Sequence, residues 1–240
     1  MYRLTPRQVI VIIPRAPGDP QLAALARDLG PERLDELLLA TMRDAIAASV
    51  RVDGATIAVM APTQARLAHL RQVLPAGLEF TAPRGPIATS RMSVFALASH
   101  QGREFERIVL LDGAVLRLSS RVIGTGLGAL ASADVVVGAS RRGSPYAFGL
   151  LERHAVHLLD ANEPLIAGDR SATELVSRVR AMRLGTRRLE PLPTLDAFAT
   201  VDELRSAMAS LPGVGRHVSA FLANLPWAEP AMSGHVCHVE

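Results

Sequence analysis

The chain has 240 residues, 49% hydrophobic and only 4% aromatic, so a sizeable core must come from Leu, Val, Ile and Ala. The net charge is +3, and all 26 basic residues are arginine, which excludes lysine Schiff-base chemistry. The single cysteine, Cys237, excludes an internal disulfide and suits a reducing compartment. No apolar run nears the roughly 20 residues that span a bilayer, and the run Val9 to Ile13 is too short for a signal-peptide core. These features predict a soluble cytoplasmic protein that does not engage a membrane. The arginines are scattered, with pairs at Arg141-Arg142 and Arg187-Arg188 and no interleaved aromatics, which argues against a nucleic-acid partner.

Gln8 to Ile13 is a continuous β-branched run, the mark of a strand buried on both faces. Pro14, Pro17, Gly18 and Pro20 then predict a loop. Gly30-Pro31 opens a helix through about Val50, with Leu34, Leu37, Leu38, Met42 and Ile46 at helical spacing. Thr56 to Ala61 reads as a strand, Thr63 to Leu74 as a helix, Leu78 to Thr81 as a short strand and Ser90 to Ser99 as a helix. Arg107 to Leu111 is another buried strand. Ser119 or Ser120 caps a helix towards Ala131, and Asp134 to Gly138 and Tyr146 to Leu151 read as strands. Ser171 to Met182 is a helix opened by a capping box with Glu174. Arg187 to Glu190 is a short strand and Thr200 to Leu211 a helix, after which the pattern dissolves. Residues 1–211 thus form one α/β domain, and residues 212–240 an extension. The alternation predicts a mainly parallel sheet covered by helices on both faces. Its ligand site should lie at the carboxyl ends of the strands, in the loops after Ile13, Leu111 and Gly138.

The glycine-rich segment Gly124 to Ala129 looks like a dinucleotide fingerprint, but it follows residues that already read as helical rather than a strand, so it is read as part of a helix. Asp112 directly follows a strand, where a carboxylate can hold a divalent ion and a diphosphate. An Asp before a Gly is equally an ordinary turn starter. His235, Cys237 and His238 lack a fourth ligand at sensible spacing, and His154 and His157 lack an acidic partner at ligand spacing. No Gly-x-Ser-x-Gly elbow occurs.

The order of segments from Val9 to Leu211 resembles the bacterial arsenosugar-biosynthesis-type glycosyltransferase family, a GT-A-like branch of the nucleotide-diphospho-sugar transferases. The molybdenum-cofactor and phospholactate nucleotidyltransferases are its cousins. Pro14-Arg15-Ala16-Pro17-Gly18 stands where the family has its opening loop, with Arg15 in place of a lysine. Leu22-Ala23-Ala24-Leu25 replaces a Lys-Thr-Arg-Leu stretch, and Leu29-Gly30-Pro31-Glu32 matches directly. Thr89-Ser90-Arg91-Met92 resembles the family's Gly-Glu-Arg-Met. Leu110-Leu111-Asp112-Gly113-Ala114 keeps the aspartate of Gly-Ser-Asp-x-Pro. Asp134 through Leu150 resembles a segment in which Arg142 replaces an aspartate while Gly143, Tyr146, Gly149 and Leu150 persist. Ala197-Phe198-Ala199-Thr200 replaces an Asp-Val-Asp-Thr.

The resemblance implies a GT-A-like fold and a nucleotide-sugar or nucleotide ligand at Arg15, Pro17, Gly18, Arg91, Asp112, Arg142, Gly143 and Tyr146. It implies Mg²⁺ or Mn²⁺ as the cofactor, with Asp112 the one remaining metal carboxylate. Residues that shape the backbone persist, and those that carry charge to a metal-bound diphosphate are replaced. Two readings compete: a glycosyltransferase whose Arg15, Arg91, Arg141 and Arg142 hold the donor without metal, or a catalytically inactive binding or assembly protein. A third reading is nucleotidyl transfer to a small phosphorylated acceptor. Monomer and homo-oligomer both stay open.

Overall fold

The structure, a computed structural model, describes residues 7–61, 63–81, 105–158, 171–210 and 215–225. Strand β1 is Gln8–Ile13. A short 3-10 turn at Pro20–Leu22 and helix α1, Ala23–Leu29, lead into helix α2, Pro31–Ser49. The prolines that predict a loop end at Pro20, which starts the turn, and Asp19 caps it by accepting from the Gln21 amide. Strand β2, Ala55–Met60, helix α3, Gln64–Val73, and strand β3, Glu79–Thr81, follow. Strand β4 is Arg107–Asp112, helix α4 Ser120–Ala129, strand β5 Val135–Ala139 and strand β6 Pro145–Leu151. Helix α5, Glu152–Leu158, is followed by helix α6, Ala172–Ala181, strand β7, Thr186–Arg188, and helix α7, Val201–Ala209. The predicted Ser90 to Ser99 helix lies outside the described residues.

The seven strands form one sheet in the order β3-β2-β1-β4-β6-β5-β7. Strand β6 runs antiparallel to β4 and β5, and the other neighbours are parallel. Residues alternate faces along a strand. Val9 and Val11 of β1 therefore join Ile108, Leu110, Val135, Val137 and Phe148 under α6. Ile10 and Ile12 join Val109, Leu111 and Val136 under α2, α3 and α4. This two-sided burial accounts for the unbroken apolar run of β1.

A third cluster lies beyond the far side of α2. It packs Leu22, Leu25, Leu34, Leu37 and Leu38 against Leu204 and Met208. Helix α8, Arg216–Asn224, completes it with Val218 and Leu222. The sequence pattern dissolves there because α8 shows only a short apolar face and no side-chain cap of its own. Its amino end is capped from across the fold, where the Asp44 carboxylate of α2 accepts from the His217 and Val218 amides at 3.0 and 3.0 Å. Gly124, Gly126 and Gly128 all lie within α4, so that segment is helical and not a dinucleotide loop. No helix among the described residues is long and apolar enough to cross a membrane.

Candidate functional site

Parallel strands β1 and β4 end side by side, with Ile13 opposite Asp112. The two chains then approach closely. The Gly113 amide donates to the Ile13 carbonyl at 2.8 Å, and a Cβ on Gly113 would meet that oxygen at 3.0 Å. A side chain at 113 would push the strand ends apart.

This approach brings Arg15 to Asp112. Arg15 Nε lies 3.2 and 3.0 Å from the two Asp112 carboxylate oxygens, and its second terminal nitrogen donates to Oδ2 at 2.6 Å. The Ala114 amide donates to Asp112 Oδ1 at 2.9 Å. The other guanidinium nitrogen donates to Asp19 Oδ2 at 3.2 Å and Gln21 Oε1 at 2.6 Å. Both side chains of the Arg15–Asp112 pair are 0% exposed. Burial would lower the Arg15 guanidinium, but the Asp112 and Asp19 carboxylates outweigh it and hold it above its ordinary value. Burial pushes the Asp112 carboxyl up, against the pull of Arg15 and the Ala114 N–H.

The segment after β7 closes the same strand ends. Leu116 N–H donates to the Pro193 carbonyl at 2.8 Å, Leu195 N–H to the Ala114 carbonyl at 3.1 Å, and Val115 bridges Thr194. The charge of Asp196 reaches both Arg15 and Asp112. Asp196 Oδ2 accepts from the Ser144 hydroxyl at 3.3 Å, and the Ser144 and Ser140 hydroxyls are 2.7 Å apart. Asp196 Oδ1 and the hydroxyl of Thr194, a residue 1% exposed, are buried with no hydrogen-bond partner.

The predicted site residues divide into four groups. Arg15, Asp112, Arg142 and Gly143 gather at the carboxyl ends of the strands. Arg142 is exposed and donates to the Ala197 carbonyl at 3.0 Å. Gly143 ends the turn from Ser140 with φ 91°, a conformation that favours glycine. Pro17 and Gly18 form the tip of a turn closed by the Asp19 amide on the Ala16 carbonyl at 3.0 Å. Tyr146 is a core residue with 0% exposure, its ring stacked over Gly138 and its hydroxyl donating to the Glu190 carbonyl at 2.8 Å. Burial pushes that hydroxyl's pKa up. Arg91, His235, Cys237 and His238 lie outside the described residues. His154 lies against Asp134 Oδ1 at 3.0 Å, away from this site. Among the described residues no group of three His, Cys, Asp or Glu is placed to hold a metal ion.

Sequence reasoning missed Asp19, Gln21, Thr194 and Asp196. Asp19 was hidden among turn-forming prolines. Asp196 is adjacent to Ala197, the first position at which the resemblance expects an aspartate. A one-residue shift in that comparison would have exposed it.

No protein-family model matches the chain, and no curated protein matches it in sequence. Solved structures do match in fold. A proposed nucleotide-diphospho-sugar transferase from Desulfovibrio desulfuricans G20 superposes with a TM-score of 0.70 at 16% identity, over 91% of this chain and 98% of that one. Rv0371c from Mycobacterium tuberculosis H37Rv, in complex with manganese, gives 0.53 at 19% identity, over 86% and 100%. The inositol-1-phosphate CTP transferase of T. maritima gives 0.51 at 12% identity, over 94% and 100%. At these identities the likeness is one of fold. The chain has the fold of the nucleotide-diphospho-sugar transferases, and its strand-end residues Arg15 and Asp112 pair with each other.

Proposed function

We propose that this chain is a GT-A-like relative of the arsenosugar-type glycosyltransferases in which metal-dependent transfer is lost and the scaffold is kept for binding or assembly. The observation that carries this reading is the Arg15–Asp112 pair. A metal-dependent site of this type needs carboxylate oxygens free to coordinate a hard cation. Here both Asp112 oxygens accept from a guanidinium, and one of them also from a backbone amide. A cation would have to displace a fixed positive charge that makes several charge-assisted hydrogen bonds. The residues present therefore do not fit a Mg²⁺ or Mn²⁺ ion at Asp112. Arg15 is also spent, because its side chain is fully buried and its positive charge faces carboxylates rather than an incoming phosphate.

A second reading keeps the chain an enzyme that holds its nucleotide-sugar donor by arginine alone. The exposed Arg142 at the rim of the site favours it, since a guanidinium can take a phosphate bidentately without metal. Thermal-shift measurements with UDP-, GDP- and dTDP-sugars, with Mg²⁺, Mn²⁺ or a chelator, separate the readings. The binding-or-assembly reading predicts no dependence on metal and no sugar transfer. Stabilisation that needs Mn²⁺ overturns it. Metal-independent stabilisation lost in Arg142→Ala, together with transfer activity, moves the assignment to the second reading.

A further inference from the structure

Residues 178–188 carry five arginines and no carboxylate, a local charge of +5 in a chain whose net charge is +3. Arg178 is half-buried, and Arg180, Arg183, Arg187 and Arg188 are exposed, with Met182 43% exposed among them. They cluster where helix α6 ends and strand β7 begins, at the outer edge of the sheet, three strands from β4. Among the described residues none of the four exposed arginines is paired with a carboxylate, and no strand lies on the far side of β7. Arginines in the last turn of a helix complement its dipole, and charge on an edge strand deters pairing with the wrong chain. Those two roles account for Arg180, Arg187 and Arg188 but not for Arg183. That residue ends α6 with φ 59°, its N–H on the Arg180 carbonyl at 2.8 Å and the Leu184 N–H on the Val179 carbonyl at 3.3 Å. This is the helix ending in which glycine is favoured at such a position. A cation kept there at a conformational cost, amid an exposed basic surface, points to a ligand outside the chain.

Gly185 and Leu189 turn their backbone groups to β5, with the Val135 N–H on the Gly185 carbonyl at 3.0 Å and the Leu189 N–H on the Val137 carbonyl at 2.9 Å. Backbone groups alternate sides along a strand, so those of Thr186 and Arg188 face away from the sheet. Arg187 pairs with Val136, on the α4 face, and Arg188 with Val137, on the α6 face. A strand added at this edge would meet one arginine on each face, so successive acidic residues would find both. We propose that the β7 edge, with Arg180, Arg183, Arg187 and Arg188, binds an extended acidic segment of a partner protein, which adds to the sheet as an eighth strand. The charge selects the occupant. A second copy of this edge would set arginine against arginine. A nucleic acid has no backbone amides to offer the edge, and no aromatic side chain stands among the arginines to stack its bases. The proposal goes beyond the binding-or-assembly reading by giving it a surface and a partner class. It involves none of the strand-end residues and holds whether or not that site is active.

The test is fluorescence anisotropy of a labelled hexapeptide of glutamate and threonine, titrated with the full chain without metal or nucleotide. The wild type should bind it saturably, one peptide per chain, and more weakly as salt is raised. A hexapeptide of lysine and threonine should not bind. Arg183→Gly should lose roughly threefold in affinity, and Arg187→Ser/Arg188→Ser about tenfold, the scale of exposed ion pairs. Arg183→Gly should melt no lower than wild type, since glycine suits the left-handed position, so its loss of affinity is not a loss of fold. If the double variant does not fold, Arg183→Gly decides alone. An analogue methylated on every backbone nitrogen keeps the carboxylates and loses the strand's donors, and it should bind about tenfold more weakly. The proposal is overturned if the acidic peptide shows no saturable binding, if either folded variant binds it as the wild type does, or if the methylated analogue binds equally well. Tighter binding of single-stranded RNA of the same charge assigns the surface to nucleic acid and overturns it too. Because no metal or nucleotide-sugar is present, each failure leaves the strand-end reading to its own test.

Discussion

Arg15 and Asp112 meet through three contacts of 3.2, 3.0 and 2.6 Å, both side chains fully buried, at the adjoining carboxyl ends of two parallel strands. A carboxylate reserved for a metal is repelled by its neighbours when the metal is absent, so removing it tends to stabilise the empty protein. A carboxylate that neutralises a buried guanidinium does the opposite. Asp112→Ala should therefore cost about 3–5 kcal/mol, because it leaves Arg15 uncompensated. Replacing both by apolar residues of similar volume should cost much less. Urea denaturation of the single and double variants measures both. A loss under about 1 kcal/mol for Asp112→Ala, the range of exposed pairs, contradicts the pairing.

Gly138 on β5 faces the ring of Tyr146. A Cβ there would lie 2.5 Å from the ring, which is buried on all sides and tied at its hydroxyl to Glu190. The ring cannot swing aside, so Gly138→Ala should destabilise by about 1–3 kcal/mol through overpacking. The double variant Gly138→Ala/Tyr146→Leu should recover part of that loss. A neutral Gly138→Ala in thermal denaturation would show that the ring is not held as described.

Asp134 joins the start of β5 to the turn before β7. Its carboxylate accepts from the Gly185 amide at 2.9 Å and lies 3.0 Å from His154 and 3.2 Å from Arg153. The Gly185 N–H, aided by His154 and Arg153 and opposed by partial burial, holds its pKa below the ordinary carboxylate value. A depressed folded-state value means that the stabilisation is present above the unfolded pKa and is lost as pH falls through the folded one. Asp134→Asn should thus be less stable than wild type by a constant amount above about pH 5, and the gap should close below about pH 4. Denaturation midpoints across that range check the sign. A gap that widens on acidification contradicts it.

Asp44 supplies from α2 the cap that α8 lacks. Asp44→Ala should cost about 1 kcal/mol and leave the His217 and Val218 amides without their acceptor. Hydrogen exchange should quicken at those two amides first. Unchanged protection there would show that α8 is held by its Val218 and Leu222 packing alone.

The strands were legible because burial on both faces leaves a mark in every residue of a segment such as Gln8–Ile13. The caps at Ser119 and Ser171 were legible for a similar reason: each hydroxyl accepts from an amide three residues on. Helix α8 was not, because its cap comes from Asp44, more than 170 residues earlier. The site was only half legible. Asp112 and Arg15 stand out by position, but position alone suggests that each faces a ligand. Their pairing depends on Gly113 letting two strand ends touch, a contact that no local pattern records. The resemblance places Tyr146 among the binding residues, yet it packs in the core over Gly138.

On the proposed reading, Asp112 belongs to Arg15 and not to a metal. Calorimetric titration of the wild-type chain with a UDP-sugar, once with Mn²⁺ and once with chelator, tests it most directly. The isotherm should be the same in both, whether it shows binding or none. Binding that appears with Mn²⁺, vanishes with chelator and is abolished in Asp112→Asn would contradict it.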